Sequence, residues 1–132
     1  MRTTEQLVSE ASDMNVYLKI EQGNDLQTLM NSLVKLESYL ASANEMLAEA
    51  KARKEEATLN IIKQDDFMKK LSPSMANKYL SGTVKMESYA VDLIDGICST
   101  IRNSMDCKRT RISQLKEECR QLKMPDMYRQ NN

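Results

Sequence analysis

Leu26-Gln-Thr-Leu29-Met-Asn-Ser-Leu33-Val-Lys-Leu36-Glu-Ser-Tyr-Leu40-Ala-Ser-Ala43-Asn-Glu-Met-Leu47-Ala-Glu-Ala50 decides the fold. Its apolar residues recur three and four apart, and the rhythm continues through Lys54, Ala57, Ile61, Gln64 and Met68. A seven-residue repeat with two apolar places is a helix that lies along another helix. Neither Gly nor Pro interrupts residues 24–71. The predicted rod is about 45 residues, roughly 65 Å at 1.5 Å per residue. Globular helices average about 11–12 residues, so a rod this long needs a long partner. Ala43, Ala50 and Ala57 predict a close approach of that partner.

The partner follows in the chain. Leu71-Ser72-Pro73-Ser74 stops one helix and starts another, with Ser72 as N-cap and Pro73 at the first helical position. A second seam then runs through Leu80, Val84, Glu87, Val91, Ile94, Cys98, Ile101, Met105, Lys108, Ile112, Leu115, Cys119 and Leu122. Gly82 is expected to end a short helix over 73–81, and Pro125 ends the pattern. On the N-terminal side, Gly23 breaks the chain and Asn24-Asp25 offers an N-cap. Before it, Thr4 is expected to cap a short helix through Ala11; Asn15–Ile20 reads either as its continuation or as an extended stretch. The expected architecture is all-α: a long antiparallel helical hairpin with coiled-coil-like seams, assembling into an oligomeric helical bundle. Its parts are an N-terminal segment 1–23, short helix or irregular, the hairpin 24–124 with long helices at about 25–71 and 83–123, and a tail 125–132. Two helices cannot enclose a core, so a homo-oligomer is expected.

Composition excludes much. The 132 residues hold no His, no Trp, three Gly and one Phe. The usual neutral-pH acid/base and the commonest metal ligand are therefore missing. No two glycines lie closer than Gly82 and Gly96, which leaves no Gly-rich phosphate loop. Cys98, Cys107 and Cys119 match no zinc spacing and are odd in number, so they predict free thiols in a reducing cytosol. No apolar run reaches the roughly 18–20 residues that span a bilayer, and no signal peptide opens the chain, so no membrane partner and a cytoplasmic location are expected. No cofactor, metal or catalytic set is predicted, and the chain is read as not an enzyme.

Lys plus Arg and Asp plus Glu are both 19, yet the charge is uneven. Residues 1–66 carry 12 acids against 7 bases, whereas residues 102–129 carry 8 bases against 4 acids. Within the basic stretch, Asn103, Asp106, Arg109, Ser113 and Lys116 are spaced three or four apart and share a helix face. With Lys108 and Arg111 they are the candidate ligand-binding residues, since Arg holds a carboxylate or phosphate bidentately. A solvated face laced with i,i+3 and i,i+4 pairs has the same pattern. Three charges, Lys54, Glu87 and Lys108, stand on otherwise apolar seams. With a turn centred on residue 72, Lys54 and Glu87 lie close enough to the same level to pair, and Lys108 lies near Glu37; snorkelling stems and a ligand contact are the alternatives.

The stretch from about Ser74 to Arg120, above all Arg109-Thr-Arg-Ile-Ser113-Gln-Leu-Lys116-Glu117-Glu118, resembles small helical proteins encoded by tailed phages and prophages. Their helix reads roughly His-x-x-Asp-x-x-Arg-x-x-Ile-Ser-x-x-Lys-Glu. Asp106, Arg109, Ile112, Ser113, Lys116 and Glu117 match, while Asn103 stands in place of His. The resemblance implies a phage or mobile-element origin and a role in an infected bacterial cell. The expected function is a non-enzymatic binding protein that sequesters or blocks a host factor or an anionic nucleotide ligand, counteracting host defence. The alternatives are an accessory of phage DNA replication or recombination, or a purely structural coiled-coil adaptor. Single-stranded nucleic acid is the weaker partner, because no aromatic residue for base stacking lies between Tyr89 and Tyr128.

Overall fold

In the computed structural model, which describes residues 1–20, 22–64 and 66–123, the chain forms four α-helices. They are α1 (Thr4–Lys19), α2 (Leu26–Gln64), α3 (Pro73–Thr83) and α4 (Lys85–Lys123), with a single 3₁₀ turn at Met68–Lys70. The fold is all-helical, and among the described residues no helix is long and apolar enough to cross a membrane. The tail 125–132 lies outside the described residues.

α2 and α4 are antiparallel. Glu37 lies 3.8 Å from Arg109, and Asn44 lies 3.2 Å from Arg102. The two columns of the α2 seam then divide. Leu29, Leu36, Ala43 and Ala50 are buried, while Leu26, Leu33, Leu40 and Leu47 are only half-buried. The small side chains at Ala43 and Ala50 are almost fully enclosed, beside Ile94, Ile97, Cys98 and Ile101 of α4 in one cluster.

The N-terminal segment is a helix and continues through 15–19, the helical one of the two readings. α1 has 16 residues, and Thr3, not Thr4, caps it. The Gln6 amide donates to Thr3 Oγ1 at 3.2 Å and the Thr3 amide donates to Gln6 Oε1 at 2.9 Å, a reciprocal capping box. Leu7, Ala11, Met14 and Leu18 recur four and three apart, so the helical stripe runs on past Ala11. The extended alternative for 15–20 fails because Val16 and Ile20 are exposed. Leu7 and Ala11 have no exposed surface and belong to the α2/α4 core. A third helix thus closes one face of the hairpin within a single chain.

α1 runs antiparallel to α2. At its start the Arg2 guanidinium meets Glu49 at 2.7 Å and Glu10 at 2.8 Å, and Arg53 donates to the carbonyls of Arg2 and Met1. Near its end Tyr17 packs edge-on against Tyr39 at 5.0 Å, with the Lys35 ammonium 4.3 Å from the Tyr17 centroid. These contacts fix both ends of α1 on the same face.

The boundaries follow their caps. Asp25 caps α2: the Thr28 amide donates to its carboxylate at 3.1 Å, and the Thr28 bonds hold that carboxyl below its ordinary range. α2 ends at Gln64 rather than near 71, and Met68, the last apolar place of the seam, falls in the 3₁₀ turn. Ser72 caps α3, accepting from the Met75 amide at 3.3 Å, with Pro73 in the first turn. α3 runs to Thr83, past the expected stop at 81. Gly82 is helical; the interruption falls at Val84 (φ −99°, ψ 23°), which is 3% exposed and turns the chain while anchored in the core.

Cys98 is buried, as its seam place implies, and Cys107 is exposed. Cys119 is exposed too, although its place on the second seam implied burial. Eleven residues beyond Arg109 on α4 reach the level of Leu26 on α2, so Cys119 lies at the first turn of its partner helix. Burial pushes the Cys98 thiol above its ordinary pKa. Since the thiolate is the nucleophile, a thiol reagent should modify two cysteines quickly and Cys98 only after unfolding. Mass spectrometry of a labelling time course reads this; fast modification of Cys98 would contradict it.

Candidate functional site

The predicted polar stripe lies on the exposed side of α4. Asn103, Asp106, Arg109, Ser113 and Lys116 are all exposed, so the structure does bring them to one surface. Lys108 and Arg111 are half-buried and turn elsewhere. Lys108 lines a small recess with Tyr17, Leu18, Ile20 and Ser104, at the C-terminal end of α1. Ser113 borders a shallow recess with Gln114, Glu117, Glu118 and Gln121.

The arginines of this stretch have acceptors of their own. Arg109 lies 3.5 Å from Asp106 and 3.8 Å from Glu37. Arg111 pairs with Glu118 at 3.8 Å, Arg120 with Glu117 at 2.6 Å, and Arg102 donates to Asn44. Arg109, Arg111 and Arg120 thus each meet a carboxylate of the chain itself, while Arg102 meets a neutral amide. Exposed pairs of this kind contribute about 0–1 kcal/mol. Arg109→Ala should accordingly lower stability by less than about 1 kcal/mol in denaturant titration. A larger loss would mean that Arg109 holds the two helices together.

The seam charges separate as well. Lys54 is exposed and Glu87 is half-buried, and they fall on different sides of the hairpin. Glu87 lines a recess of about 310 Å³ beside α1, with Thr3, Glu5, Arg53, Glu56 and Asn60. Lys54 lines a groove of about 420 Å³ between α2 and α4, with Lys51, Glu55, Thr58, Leu59 and Val91. The residue that meets Glu37 is Arg109, one place on from the expected Lys108. Lys108 instead faces the end of α1, because α1 occupies that side of α4.

Two apolar features escaped the sequence reading. One is the groove lined by Leu59 and Val91; Leu33, Leu40 and Leu47 of α2 are half-buried and pack against the core. The other is the turn end of the hairpin, where Ile62, Phe67, Met75, Met86 and Tyr89 are each 47–55% exposed. Phe67 and Tyr79 pack edge-on there at 5.5 Å. Ile62, Met86 and Tyr89 are large apolar residues off both seams, and that departure was the available signal. Among the described residues no group of three or more His, Cys, Asp or Glu is placed to hold a metal ion. Comparison of the chain with protein-family models, with curated proteins and with solved structures found no match.

Proposed function

We propose that the chain is a non-enzymatic binding protein, an oligomeric helical bundle that blocks or sequesters another protein. The carrying observation is the turn end, where Ile62, Phe67, Met75, Met86 and Tyr89 are each about half exposed and Phe67 packs on Tyr79. Single exposed apolar residues are ordinary, but a cluster of large ones marks a contact surface. Methionines suit such a surface because their unbranched, polarisable side chains adapt to a partner. The stability cost of leaving these groups wet is met by a core elsewhere in the bundle, so the tip is free to be selected for binding.

The ion pairs of α4 favour a protein partner over an anionic nucleotide. Arg102, Arg109, Arg111 and Arg120 each have a carboxylate or amide acceptor within the chain, and a nucleotide would have to displace these. The phage-like helix over Ser74–Arg120 adds a setting, an infected bacterial cell, in which blocking a host defence protein is a useful task.

The test places a photo-crosslinking residue at Met75 or at Gln114 of the full chain in bacterial cells. The expected result is a discrete protein adduct from position 75, lost when Met86→Glu and Tyr89→Glu are added. These exposed sites should change folding stability by no more than about 0.5 kcal/mol. No adduct from position 75, or one formed equally from position 114, would reject the tip as the binding surface.

A further inference from the structure

The open face of α2 carries two columns of residues at seven-residue spacing. Leu26, Leu33, Leu40 and Leu47 form one, each half-buried. Met30, Glu37, Asn44, Lys51 and Thr58 form the next, one turn on from each leucine. Three levels of this second column meet the α2/α4 groove. Glu37 reaches Arg109, Asn44 accepts from Arg102, and Lys51 lines the groove with Val91.

The charge on this column is antisymmetric about Asn44. Glu37 stands one heptad before it and Lys51 one heptad after. α4 repeats the arrangement at the same level. Cys98 lies 3.6 Å from Asn44, and Asp95 and Arg102 flank Cys98 on either side along the helix. Charges beside an apolar seam set the partner and the orientation of helix pairing. Parallel copies of this face would set Glu37 against Glu37 and Lys51 against Lys51. Antiparallel copies set each Glu37 against the partner's Lys51 and each Asp95 beside the partner's Arg102.

We propose that two copies of the chain pair through the α2/α4 face turned away from α1, antiparallel about a two-fold axis beside Asn44. The apolar residues fit the same axis. It sets Leu40 against the partner's Leu47, so the half-buried leucines cover one another. It also lays Met30, 41% exposed, and Leu33 over the partner's groove between Leu59 and Val91. Lys54, the charge within the α2 seam, borders that groove; its aliphatic stem covers apolar surface while its ammonium stays in water. Such a contact is isologous and closes at two copies. It uses a face separate from Phe67, Met75, Met86 and Tyr89, so it stands or falls independently of the binding tip.

Sedimentation equilibrium on the full chain at low salt tests this, with circular dichroism confirming that each variant is folded. Wild type is expected to dimerise. Glu37→Lys and Lys51→Glu should each weaken the dimer roughly tenfold, because two attractions become two repulsions. The double variant Glu37→Lys/Lys51→Glu should recover wild-type affinity. An equimolar mixture of the two single variants should form mixed dimers in preference to either homodimer. All differences should shrink in 1 M salt, where the Debye length is about 3 Å. A monomeric wild type would overturn the proposal. So would single variants that dimerise as tightly as wild type, or a double variant that fails to recover.

Discussion

Ile101→Ala should lower the unfolding free energy by about 2–5 kcal/mol, as the transfer and cavity terms for a buried aliphatic residue require. Ile101 has no exposed surface and sits in the cluster that joins Leu36, Ala43 and Met46 of α2 to Ile94, Ile97 and Met105 of α4. Around it the alanines bring the helices close, and backbones held this near leave little room to collapse into a void. Small domains are stable by about 5–15 kcal/mol, so one such loss removes a large share. Ser99→Ala, two residues away and exposed, is the control and should stay within about 0.5 kcal/mol of wild type. Urea titrations with equal slopes measure both; equal midpoints for Ile101→Ala and Ser99→Ala would place Ile101 outside the core.

Leu7→Ala should cost nearly as much, about 2–5 kcal/mol. Leu7 is the anchor of α1, fully buried against α2 and α4, one helical turn from the equally buried Ala11. If α1 were an accessory of the hairpin, its loss would leave the midpoint of α2 and α4 unchanged. Because α1 covers Leu36, Ile94 and Ile101, the whole bundle should instead unfold in one shifted transition. Val16→Ala on the exposed side of the same helix should have little effect. A biphasic Leu7→Ala curve, with α1 melting first and the rest at the wild-type midpoint, would contradict this.

The long helices were legible because one signal, the unbroken three-four spacing, is strong and local. The stop at Ser72-Pro73 was legible for the same reason, since a cap and an N1 proline act within one turn. α1 was harder. Its stripe holds only Leu7, Ala11, Met14 and Leu18, and Val16 and Ile20 mimic strand alternation. What decides it is burial against α2 and α4, a non-local term that spacing cannot supply. The break at Val84 was misplaced for a related reason. Gly82 weakens a helix, but packing of Val84 into the core sets where the chain turns.

The candidate site was legible as a surface and not as a chemistry. Spacing alone put Asn103, Asp106, Arg109, Ser113 and Lys116 on one exposed face. The partner of Arg109 comes from the other helix, Glu37, 72 residues away in the chain, and depends on the register of α2 against α4. A shift of one residue in that register separates the expected Lys108 from the observed Arg109. The apolar tip was missed because attention to seams discounts residues off them, and Ile62, Met86 and Tyr89 are off both.

Hydrogen–deuterium exchange of the intact chain at high dilution, where copies do not meet, tests the central claim most directly. That claim is a three-helix core closed by α1 within one chain, with the opposite face and the turn end left for contacts. The expected result is protection across Leu7–Leu18 comparable to that of the middles of α2 and α4, and faster exchange over 59–80. Exchange of Leu7–Leu18 at the rate of an unstructured peptide would contradict it.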